Sequence, residues 1–168
     1  MATTVVAPIV LAREEGLRVQ SGPGRDLVFK VTGDDTAGAF DYFSVDVAPH
    51  GGPPLHVHHV QHEAIHVMTG RLLVRIGDRT FTLETGGFAY MPAQIPHAFL
   101  NLTDEPAEIV VVFTPGGGHR FFEELGPATR CASPDRAQIA AIFERHDMTL
   151  LGPPLTAASN SVAASTSG

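Results

Sequence analysis

Residues 51–70 read GGPPLHVHHVQHEAIHVMTG, and this stretch decides the fold. Five of the chain's nine histidines fall between His56 and His66. His56 and His58 stand two apart, and in a strand residues i and i+2 share a face. Paired imidazoles on one face make a poor core element but a good pair of metal ligands. Glu63 opens the next apolar run, Ala64–Met68. Thr69-Gly70-Arg71 then reads as a tight turn into Leu72–Ile76, which predicts a hairpin.

Short β-like segments continue on both sides. Leu27–Thr32 and Phe40–Val47 precede the histidines, with His50–Leu55 as a Gly/Pro loop. Thr80–Leu83, Phe88–Met91, Ala98–Leu102 and Ile109–Thr114 follow, separated by Gly77-Asp78, Gly86-Gly87, Pro92–Pro96 and Thr103–Pro106. Turn signals at this spacing argue a β-sandwich or barrel and not alternating βαβ units. His97 lies just after Pro96, so three imidazoles and one carboxylate are available to a single ion. That donor set suits one divalent transition metal: iron, manganese, nickel, cobalt, copper or zinc.

The two blocks around these residues resemble the cupin motifs. Gly51, His56, His58, Glu63 and Gly70 follow the first motif, with the leading glycine displaced by one position. Gly86, Pro92, His97 and Asn101 follow the second, with Gln94 where a glycine is usual. The resemblance implies an all-β double-stranded β-helix, a jelly-roll cupin barrel, with short C-terminal helices. It implies His56, His58, Glu63 and His97 as metal ligands. The stretch from Phe113 to Gly117, followed by Phe121-Phe122-Glu123-Glu124-Leu125, is similar to single-domain cupins grouped with bacterial quercetin 2,3-dioxygenases.

Strand parity bears on the ligand set. His62 precedes Glu63, and a four-histidine site is the alternative. Ile65 and Val67 share the parity of Glu63, and an apolar interior wants them inside. His62 and His66 then face outward. His59 opposes the parity of His56 and His58, and His50 and His119 read as surface. Phe43, Leu55, Ile95, Phe99 and Phe113 are candidates to line a water-poor pocket beside the ion, with Val45 or Val47, Val74 and Ile76 as further apolar neighbours and Asn101 sharing the inward parity of His97.

The expected organisation is an N-terminal strand or arm over 1–26, a barrel over 27–115, a helical segment over 116–150 and a disordered tail over 156–168. His119–Leu125 reads as a short amphipathic turn packed in place, with a lid hinged at Gly116–Gly118 as the alternative. Ser133 and Pro134 read as the cap and first residue of a helix ending near His146 and burying Ile139, Ile142 and Phe143. The chain has 168 residues and a formal charge of −7, with Lys30 its one lysine. That balance argues against nucleic acid and anionic lipid as partners. One cysteine, Cys131, excludes a disulfide scaffold. No apolar run reaches the roughly 18 residues that span a bilayer. Met1–Leu11 lacks a secretory pattern, which predicts a cytoplasmic setting. The apolar run Thr3–Leu11, read as a strand without a partner in the barrel, predicts a homodimer.

The activity these features predict is a metal-dependent dioxygenase acting on a small apolar or aromatic substrate, phenolic, flavonol-like or enolisable, with dioxygen as co-substrate and Glu63 as ligand and general base. A redox-neutral metal cupin (isomerase, cyclase, epimerase or lyase) and a small-molecule binding module are the alternatives.

Overall fold

The computed structural model describes residues 7–22 and 25–160. Eleven strands appear among them: β1 Leu17–Gly22, β2 Arg25–Val31, β3 Asp41–Val47, β4 Pro54–His58, β5 His62–Thr69, β6 Arg71–Ile76, β7 Arg79–Glu84, β8 Phe88–Met91, β9 His97–Asn101, β10 Ala107–Thr114 and β11 Met148–Pro154. Two helices, α1 Gly118–Arg130 and α2 Arg136–Arg145, lie between β10 and β11. The strands form a six-stranded sheet, β1-β2-β3-β10-β5-β8, and a five-stranded sheet, β11-β4-β9-β6-β7. Every pairing is antiparallel. The fold is all-β and consistent with a jelly-roll barrel.

Period-two patterning builds the core. In β10, Ala107, Ile109, Val111 and Phe113 are buried while the residues between them are partly exposed. Ile109 faces Val67 and Val111 faces Ile65 across the ladder to β5. These side chains meet Leu72 and Val74 of the other sheet, with Phe29 stacked on Phe43 at 4.4 Å. Gly70 turns the β5–β6 hairpin with φ +94°, and a Cβ there would stand 2.6 Å from Ala107 Cβ. Both the left-handed backbone and the close approach require glycine.

The sheets reach beyond 27–115 at both ends. β1 pairs with β2, and β11 closes the edge beside β4, with Leu150 opposite His56 and Met148 opposite His58. The strand expected over Thr3–Leu11 is absent from its described part, 7–11, where Ile9, Val10 and Leu11 are exposed; Thr3–Val6 lies outside the described residues. The six-stranded sheet ends in β1 and β8, and the five-stranded sheet in β11 and β7. Of the expected tail, Ala157–Asn160 forms a 3₁₀ turn and 161–168 lies outside the described residues.

The helices differ from expectation as well. α1 is thirteen residues long, not a short turn, and carries Pro127 inside it. The cap of α2 is Asp135, whose carboxylate accepts from Ala137 N at 2.8 Å, not Ser133. His119 is buried, not on the surface. It sits 3.5 Å from Asp34 and 3.8 Å from Asp41. No helix among the described residues is long and apolar enough to cross a membrane.

Candidate metal centre

Three strands deliver the donors. β4 presents His56 and His58 on its inner face, and the register sets His56 directly opposite His97 on β9. β5 presents Glu63, opposite Phe113 of β10. All four side chains are buried, and their donor atoms lie within 4.8 Å of one another. Two ligands of one first-row ion, each roughly 2.0–2.2 Å from it, stand at most ~4.4 Å apart. A shift of a few tenths of an ångström therefore suffices, and the cluster fits a divalent metal.

Hydrogen bonds aim the rings. His56 Nδ1 donates to Pro54 O at 2.8 Å, and His97 Nδ1 donates to Ile95 O at 2.9 Å. A ring that donates through Nδ1 turns Nε2 toward the centre, as in metal-ligating histidines. His56 Nε2 and His58 Nε2 are 3.0 Å apart. His58 Nδ1 is buried without a hydrogen-bond partner among the described residues. His97 Nε2 donates to Glu63 Oε2 at 3.1 Å, and His58 Nε2 lies 3.7 Å from the same oxygen.

Burial strips water from the His56 and His58 imidazolium forms and lowers their pKa values to about 4 and about 3, with neighbouring imidazoles adding to the fall. Burial alone would raise Glu63, but the hydrogen bond from His97 and the surrounding imidazoles outweigh it and hold the carboxyl at about 2. Burial also pulls His97 down, yet its bonds to Glu63 and to the Ile95 carbonyl lift it above the ordinary value. The site therefore holds one carboxylate, one imidazolium and two neutral rings in mildly acidic solution.

This distribution has a measurable consequence. A ligand must lose its proton to bind an ion. At pH 6, His97 lies below its raised pKa and is chiefly protonated, while His56, His58 and Glu63 are already bare. Metal uptake at pH 6 should release about one proton, where three ordinary imidazoles would release about two. Calorimetry in two buffers of different ionisation enthalpy reads this number. Affinity should fall tenfold per pH unit between pH 6 and pH 4, and more steeply below, as His56 begins to take up protons.

A cavity of about 120 Å³ adjoins the cluster. Phe43, Phe99 and Phe113 line it as expected, with Val45, Val47 and Val111 beside them. Leu55 does not: it packs with Leu73, Leu100 and Leu155 on the other side of its sheet. Ile95 does not either; it is more than one-third exposed, in the loop before β9. Val74 lies in the core, and Asn101 ties the backbone carbonyls of Val47 and Glu105 together. His62 is outside the cluster, accepting from the Tyr90 hydroxyl at 2.7 Å, and His59 and His50 are exposed. Phe121, Phe122 and Leu125 of α1, Phe143 of α2 and Met148 of β11 close the cavity from above. Phe143 meets the His56 ring edge-on at 6.0 Å, and Phe113 meets His58 at 5.3 Å. The apolar spacing of Phe121, Phe122 and Leu125 was the signal available.

Comparison with known proteins agrees with this geometry. Residues 43–113 match the cupin domain. The matched stretch and the jelly roll together support the cupin superfamily. A sugar phosphate isomerase of the cupin superfamily from Silicibacter pomeroyi is 25% identical over 62% of this chain and 74% of its own, with a TM-score of 0.53. KdgF from Halomonas sp. is 15% identical over 65% of this chain and 96% of its own, with a TM-score of 0.57, a likeness of fold. A recombinant oxalate oxidase solved with glycolate is 27% identical over 55% of this chain, with a TM-score of 0.48, and the match spans about half (53%) of that oxidase. Among curated proteins nothing matches the sequence. The jelly-roll barrel, similar over residues 43–113 to the cupin domain, thus frames a buried four-donor cluster beside an apolar cavity.

Proposed function

We propose that the chain is a mononuclear metal-dependent dioxygenase of the quercetinase-like cupin type, with His56, His58, Glu63 and His97 as ligands and a small phenolic or enolisable compound as substrate. The observation that carries the reading is Glu63. Its carboxylate is held ionised by His97 at the wall of a phenylalanine-lined cavity. When bound, a divalent ion supplies Lewis acidity that lowers the pKa of a phenol or enol oxygen. Glu63 Oε2 is placed to accept the proton that such an oxygen gives up. Before an ion binds, His97 holds the carboxylate in place. Phe43, Phe99 and Phe113 exclude water around the resulting anion, which strengthens the electrostatics of the site. The run from Phe113 to Gly117, followed by the α1 phenylalanines, carries the likeness to quercetin 2,3-dioxygenases.

Size narrows the substrate. A dry cavity of about 150 Å³ accommodates one benzene ring. At about 120 Å³ this cavity is of single-ring scale, and it is open on one side. Among the described residues the lining contains no lysine or arginine, which argues against transferring the phosphate substrate of the Silicibacter protein to this chain. The test is oxygen uptake by metal-loaded protein against a panel of monocyclic phenols and 1,3-diketones. Substrate-dependent uptake, lost anaerobically, is the expected result. Turnover that continues without oxygen favours the redox-neutral alternative, and affinity without turnover favours a binding module; either overturns the dioxygenase reading.

A further inference from the structure

The cavity wall contains one polar side chain outside the metal cluster and far from it in the sheet: Ser21 of β1. Ser21 shares the inward parity of Val19, and the residue is 7% exposed. Ser21 lines the apolar cavity. A hydroxyl at an apolar wall calls for a hydrogen-bond partner, because leaving one unpaired costs free energy.

The backbone places it there by construction. Gln20 pairs with Asp26 while Gly22 pairs with Arg25, so Ser21 is the extra residue of a β-bulge. A bulge bends its strand and re-aims a side chain, and bulges are over-represented beside active sites. Helix α1 then clamps the bulge. Arg130 Nη1 donates to Gln20 O at 3.0 Å, and Thr129 Oγ1 stands 3.1 Å from Ser21 O and 3.0 Å from Leu125 O of its own helix. A Cβ on Gly126 would lie 1.9 Å from Gln20 O, so glycine is needed for the helix to approach this closely. The same helix supplies Phe121, Phe122 and Leu125 to the roof. Glu63 stands on β5, four strand positions from β1 in the same sheet. The carboxylate and Ser21 therefore reach the wall of one apolar cavity from different strands of the same sheet.

We infer that Ser21 is a substrate-binding residue that hydrogen-bonds a second oxygen of the ligand, at the end remote from the oxygen that Glu63 deprotonates. This deepens, and rests on, the reading of the cavity as the site of a small phenol or enol. The substrate class is then a ring carrying two polar ends: an acidic hydroxyl and a distal hydroxyl or carbonyl. A purely apolar tail leaves the serine unsatisfied, so the site discriminates against it.

The test uses an isosteric pair, tyrosol and 4-propylphenol, which differ by one terminal hydroxyl against a methyl. Binding of each to metal-loaded wild type and to Ser21→Ala is measured by calorimetry, with metal content determined in parallel. Ser21→Ala should weaken tyrosol about fivefold, within the range that one net hydrogen bond supplies, and leave 4-propylphenol within twofold. The unchanged 4-propylphenol affinity shows that the variant is folded and its cavity intact. Equal effects on both compounds, or no effect on either, overturn the assignment of Ser21 while the phenol-binding reading stands. A wild type that binds neither compound overturns both.

Discussion

Replacing His97 with alanine is expected to empty the metal centre and to weaken the apo fold, whereas His56→Ala is expected to do only the first. Each change removes one of four converging donors. The loss of affinity should exceed the roughly 10–100-fold that partners beyond the ligands cost when mutated. Elemental analysis after gel filtration reads it, and full occupancy in either variant counts against the ligand assignment. The second difference follows from the hydrogen bonds. His97 is the donor that holds the fully buried Glu63 carboxylate at 3.1 Å, while His56 bonds to Pro54 O and faces His58. Removing one partner of a buried charged pair costs roughly 3–5 kcal/mol, less whatever Glu63 recovers by taking up a proton. Thermal unfolding without metal should therefore show His97→Ala melting well below His56→Ala. Equal melting temperatures would mean that the pair contributes nothing to the apo fold.

That asymmetry is invisible in sequence, though the donors are not. His56 and His58 declare themselves by spacing, because a strand repeats every two residues. The choice between His62 and Glu63 is also legible, since Ile65 and Val67 must be inside; the structure buries both and turns His62 toward Tyr90. The same rule misleads where the chain leaves the strand. Ile95 precedes β9 within a loop, so parity counted back from His97 has no meaning there. Leu55 is adjacent to His56 in β4 and must face the other way, which its packing on Leu100 and Leu155 confirms.

The missed elements have physical reasons too. β1 offers two apolar residues in six, and β11 ends in Gly152-Pro153-Pro154, which reads as a breaker. Proline is tolerated in an edge strand, and β11 is one. Gly126-Pro127 reads as the end of a helix. Only the close passage of β1 explains why the glycine stays helical, and that is a tertiary fact. The roof and the clamped bulge at Ser21 both depend on it, so the distal half of the cavity was beyond sequence reasoning.

Glu63→Gln isolates the proton acceptor from the ligand set. Three imidazoles remain to hold an ion, so metal should stay bound, although more weakly. An amide oxygen cannot take up the substrate's proton, and general-base catalysis contributes about 10²–10⁴-fold. The kcat of the variant should fall within that range while KM changes less, because the phenylalanine lining is untouched. A purely structural role for Glu63 also predicts some loss, so a second readout is needed. In wild type the carboxylate is what lifts His97, since burial alone pulls that ring down. With a neutral amide in its place that charge is lost and the His97 pKa falls, with only the Ile95 carbonyl left to oppose burial. Metal uptake at pH 6 should then release well under one proton, against about one for wild type. Retained metal, a lost proton and a collapsed kcat together identify Glu63 as the base; an unchanged kcat in a metal-loaded variant removes it from the chemistry.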